Sequence, residues 1–130
     1  MAEFGTQETL TLEAAADLTA QQYHIVRLSA AQKCNFSSDA TNSAVVGVLQ
    51  NKPRVSPSPE FATVAYLGKS KIVAGAAITV GAILANNGSG RAATITSGQM
   101  AVGRALETAS ADGDIITALL FPPQRWAGAA

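Results

Sequence analysis

Cysteine, histidine and tryptophan each occur once in the 130 residues, and aromatic side chains make up only 5% of them. A single cysteine, Cys34, excludes an internal disulfide. With His24 as the sole imidazole, a zinc site of Cys and His ligands cannot be assembled within one chain. Charge is scarce and balanced, nine Lys+Arg against nine Asp+Glu, which argues against nucleic-acid binding, where excess Lys and Arg neutralise phosphates. No uninterrupted apolar stretch approaches the ~18 residues that a membrane span needs. The opening MAEFGTQETL carries two acids and no Lys or Arg, which does not fit a signal peptide.

What is present is 48% hydrophobic residues, much of that small Ala and Val. This is too apolar for a disordered chain, and the length suits one domain with its own core. Short apolar runs, Tyr23–Leu28, Val45–Leu49, Phe61–Leu67, Ile78–Ala85, Met100–Leu106 and Ile115–Phe121, are separated by Gly, Pro, Asn, Asp and Ser. Their Val, Ile and Thr content fits pleated surfaces. Asn86-Asn87-Gly88-Ser89-Gly90 and Ala111-Asp112-Gly113-Asp114 read as turns, since Asn and Gly readily take positive φ. The pattern predicts an all-β fold, a small barrel or sandwich. A helix over 98–110 is the rival reading, and Gly103 in its middle counts against it.

An internal repeat supports the strand reading. Val46-Gly47-Val48-Leu49-Gln50 resembles Val102-Gly103-Arg104-Ala105-Leu106-Glu107 at an offset of 103 − 47 = 56, which also places Leu28 on Leu84. The runs after them align at 118 − 65 = 53. Two similar halves would complete one closed or nearly closed β-structure, hiding strand edges. The expected organisation is an N-terminal arm, residues 1–19, a β-domain, residues 20–121, and a C-terminal tail, residues 122–130. In the arm, Thr9–Glu13 alternates like a strand. The tail leaves the last strand at Pro122-Pro123.

No catalytic constellation emerges. Gly68-Lys69-Ser70 lacks the earlier glycine of a phosphate loop, Thr63 standing in its place. His24 has no nucleophile elbow to serve and reads as a partly exposed sheet residue, and Cys34 has no reason to be a thiolate. Asp112-Gly113-Asp114 lacks the further oxygens of a calcium loop. The reading is a protein without catalysis, cofactor or metal.

The runs Ala62–Gly81, Val102–Ala109 and Asp112–Ile116 resemble those of the capsid decoration, or cement, proteins of tailed bacteriophages, over about residues 20–121. The resemblance implies an accessory β-protein made in the host cytoplasm and bound to the outside of the mature head. Its implied partners are the major capsid protein and further copies of itself, as a homotrimer. Related modules in phage head fibres, and small ligand- or glycan-binding β-modules, are the alternative. Contact candidates are Phe4, Leu10 and Leu12 on the arm, which could add a strand to an exposed sheet edge of the shell, and Arg125 and Trp126 on the tail, types enriched at interface hot spots.

Overall fold

The computed structural model describes residues 6–39 and 44–125. Phe4 and Trp126 lie outside them. Among the described residues there are nine strands and no helix: β1 Gln7–Ala14, β2 Ile25–Ala30, β3 Lys33–Phe36, β4 Val45–Leu49, β5 Phe61–Val73, β6 Ile83–Asn86, β7 Ala92–Thr94, β8 Met100–Ala105 and β9 Ile115–Arg125. The all-β expectation holds, and the segment that competed as a helix is β8.

One sheet runs in the order β1-β3-β2-β4-β5-β9-β8-β6-β7, with β1 also pairing to β5. That extra pairing closes β1, β3, β2, β4 and β5 into a five-stranded barrel. The rest of the sheet turns back on β5 as well, because Ala74 at its C-terminal end bridges Ala92 of β7 in parallel. Two small rings therefore share the long strand β5. From β3 inward the order reads β3-β2-β4-β5, and from the other end β7-β6-β8-β9, which is the repeat expressed as topology.

The repeat reaches further back than the sequence suggested. β1 pairs antiparallel with β5 and parallel with β3, as the end of β5 pairs antiparallel with β9 and parallel with β7. Leu12, Ala14 and Leu18 thus correspond to Ile72, Ala74 and Ile78 at 72 − 12 = 60, and all six are buried. Their hydrogen bonds match too. The Leu18 N–H donates to Pro53 O (2.9 Å) as Ile78 N–H does to Ala109 O (3.0 Å), and Ala14 N–H donates to Glu60 O (2.9 Å) as Ala74 N–H does to Asp114 O (2.7 Å).

Residues 7–14 are accordingly not a separate arm. Their alternation was read correctly as a strand, but the partner is β5 of the same chain, with Leu10 opposite Val64 and Leu12 opposite Ala62. Closing the barrel satisfies main-chain groups that an isolated arm would leave to water. Ala15 and Ala16 form a bend rather than the expected helical turn. The tail also differs from expectation, since β9 continues through Pro122 and Pro123 to Arg125. Gly103 faces Leu120 and Ala101 faces Gln124, so three residues of β9 stand against one of β8. The prolines sit in this bulge, where no ladder N–H is required of them.

Two cores result. Leu12, Ala14, Leu18, Val26, Cys34, Leu49, Ala62 and Val64 fill the first ring. Ile72, Leu84, Val102, Ile116 and Leu120 fill the second, joined by Ile25, Val48 and Ala65 from strands of the first. Neighbours such as Ile25 and Val26, or Val48 and Leu49, thus serve opposite cores, because successive strand residues point to opposite faces. Burying each such side chain contributes about 1.5–3 kcal/mol. At the two equivalent glycines, Gly47 and Gly103, an adjacent long strand approaches closely. A Cβ on Gly103 would lie 2.6 Å from Leu119 O, and one on Gly47 would overlap Ala65 O.

A buried polar tie fastens one ring to the other. Asn86 Nδ2 donates to Ser37 O (2.8 Å) and Ser37 Oγ (3.0 Å), and also to Asp39 O (3.1 Å). Its Oδ1 accepts the Gly90 N–H at 2.7 Å.

Candidate interaction surface

The residues weighed for chemistry take structural places. Gly68, Lys69 and Ser70 lie within β5, with Ser70 fully buried. His24 precedes β2 and is 7% exposed, more buried than the expected sheet position. Its Nδ1 donates to Gln22 O (3.1 Å). Burial holds its pKa below the ordinary value, offset by that hydrogen bond and reinforced by the charge of Arg91. Burial also pushes the Cys34 thiol up to about 11, so it carries no thiolate near neutral pH. Asp114 accepts the N–H groups of Ser110 (2.8 Å) and Ala111 (3.2 Å), and Asp112 pairs with Arg91 at 2.6 Å, as turn chemistry requires. Among the described residues no group of three or more His, Cys, Asp or Glu is placed to hold a metal, no pocket is formed, and no helix is long and apolar enough to cross a membrane.

The expected contact residues divide. Leu12 is buried and Leu10 packs against the same core, so neither presents itself to a partner in the way the arm reading required. Arg125 is exposed at the end of β9, its Nη1 donating to Gly98 O at 3.1 Å.

The surface that stands out is the outward face of β5, β9 and β8. Directly opposite residues of antiparallel neighbours share a face, and here Lys69 lies opposite Leu119, which lies opposite Arg104. Two and four residues along β9, Thr117 faces Lys71 and Ile115 faces Val73. Leu106 follows β8 and donates its N–H to Thr117 O (2.9 Å). Leu106, Ile115 and Leu119 keep 40%, 47% and 45% of their surface exposed, which makes an apolar strip of them. The cations beside it are held in place: Lys71 Nζ sits 5.6 Å from the centre of the Tyr23 ring, and Arg104 Nη1 donates to Gly81 O at 2.8 Å. Glu107 also adjoins this face, its Oε1 accepting the Thr117 N–H at 2.7 Å.

Sequence reasoning missed this face, although a signal for it exists. Ile115-Ile116-Thr117-Ala118-Leu119-Leu120-Phe121 is apolar at both parities, the pattern of a strand covered on both sides. Ile116, Ala118 and Leu120 fill the core, while Ile115 and Leu119 have no cover from the described residues.

The chain matches no protein-family profile and no curated protein. In fold it belongs with small closed β-structures, and solved structures share that arrangement. One is the head fiber gp8.5 N base in bacteriophage phi29, with a TM-score of 0.60 over 88% of this chain and 94% of that chain, at 18% sequence identity. At that identity the likeness is one of fold.

Proposed function

We propose that the chain is a structural protein of a tailed-phage virion, held on the outside of the head by protein–protein contacts and without catalysis of its own. The observation that carries this reading is the fold shared with a phage head fiber base across nearly the whole of both chains. The motif resemblance to capsid decoration proteins over about residues 20–121 supports it independently. Within this reading the leading role is that of a decoration protein that binds the major capsid protein, assembles as a homotrimer on the shell and braces it. A head-fibre base is the second role, favoured by the identity of the structural neighbour.

The test is addition of the purified protein to heads that lack it. Saturable co-sedimentation is expected, and protein that stays in the supernatant contradicts the proposal. The two roles then separate by heating. A decoration protein raises the temperature at which the shell opens, whereas a fibre base leaves it unchanged.

A further inference from the structure

Building on the phage-head reading, we propose that the outward face of β5, β9 and β8 is the docking surface, and that its occupant is a shell-protein surface of apolar side chains ringed by carboxylates. Charge complementarity selects this occupant. Lys69 and Arg104 flank Leu119 from the two neighbouring strands, and Lys71 lies next along β5. Against these three cations the face carries the carboxylate of Glu107 among the described residues. A second copy of the chain is the poorer occupant, because two such faces meeting would bring cations together, and like charges juxtaposed at an interface oppose binding.

The means of contact follows from the topology. Both ends of the sheet are turned back onto β5, so strand addition at an open edge gives way to side-chain docking on a formed surface. The Lys71 contact with Tyr23 and the Arg104 bond to Gly81 hold two of the charged groups ready, which reduces the ordering needed on binding. The strip offers an apolar centre with a charged border, the usual anatomy of a protein interface.

Leu119→Asp and the double reversal Lys69→Glu with Arg104→Glu test the proposal, titrated by co-sedimentation against heads lacking the protein. Phe61→Asp, at a site 66% exposed on the other ring, is the control. Thermal melts establish that each variant is folded. Leu119→Asp and the double reversal are expected to weaken binding by at least about tenfold, as for a central interface anchor and its charge partners. Wild-type affinity is expected to fall as salt rises, with Phe61→Asp binding like wild type. Wild-type affinity in folded Leu119→Asp overturns the proposal, as does equal loss in Phe61→Asp. Wild-type self-association that Leu119→Asp abolishes assigns the face to a second copy and overturns it too. If wild-type protein fails to bind heads at all, the phage-head reading fails first and this proposal falls with it.

Discussion

Replacing Leu12 by alanine distinguishes a strand that closes the first ring from an arm that reaches a partner. Leu12 is 7% exposed and packs in one core with Val26, Leu49 and Val64. Its backbone lies opposite Ala62 in a ladder that runs from Gln7 to Glu13. Truncating a buried leucine removes transfer energy and leaves a cavity, together about 2–5 kcal/mol. With β5 and β3 holding β1 on both sides, collapse around the site is restricted, and a loss of about 3 kcal/mol is expected. For a domain whose whole stability is about 5–15 kcal/mol, that leaves a folded but weakened protein. With a urea dependence of about 1–3 kcal/mol per molar, the unfolding midpoint should fall by about 1–3 M. Thr11→Ala, at an exposed site on the opposite face of β1, should change stability by under about 1 kcal/mol. A Leu12→Ala protein with the wild-type midpoint, but unable to bind heads, would refute the core assignment and restore the arm.

Asn86→Ala removes the donor to Ser37 and the acceptor for Gly90 from a buried setting, so a loss of about 2–4 kcal/mol is expected in urea unfolding; a change below about 0.5 kcal/mol would sink the idea that this tie holds the rings together. Gly47→Ala and Gly103→Ala should each lower stability by about 1–3 kcal/mol through overpacking, and a neutral result at both would contradict the close strand approach. His24 has a native pKa below its unfolded value of about 6.5, so below that pH the unfolded chain binds the extra proton more readily. Its contribution is therefore complete above about pH 6.5 and declines as pH falls below it. Urea midpoints of wild type and His24→Gln at pH 7.5 and 5.5 should show a smaller pH response in the variant, and an unchanged response excludes His24 as the cause.

Much of the architecture was legible in the sequence. The runs around Gly47 and Gly103 became β4 and β8, and the offset between them became the mirrored strand order. The role of β1 was hidden because its match to the end of β5 rests on Leu12, Ala14 and Leu18 against Ile72, Ala74 and Ile78, small or interchangeable aliphatics without a shared glycine. Pro122 and Pro123 argued for a chain leaving the sheet, and only the bulge opposite β8 shows how β9 accommodates them. The burial of His24 was illegible for a similar reason, since it depends on the Gly90 turn, whose Gly90 O accepts the Ile25 N–H at 2.6 Å. The outward face of β9 was present in the sequence as an apolar run. A run apolar at both parities signals two covered faces, however, and only the ring geometry shows which face lacks a cover within the described chain.

The central claim is attachment to the outside of a phage head, and electron cryo-microscopy of heads with and without the protein tests it most directly. The difference map should show density of the size of this chain on the outer shell surface, with the β5, β9 and β8 face toward the capsid. Heads that are indistinguishable in the two maps, or density confined to the interior, would contradict it.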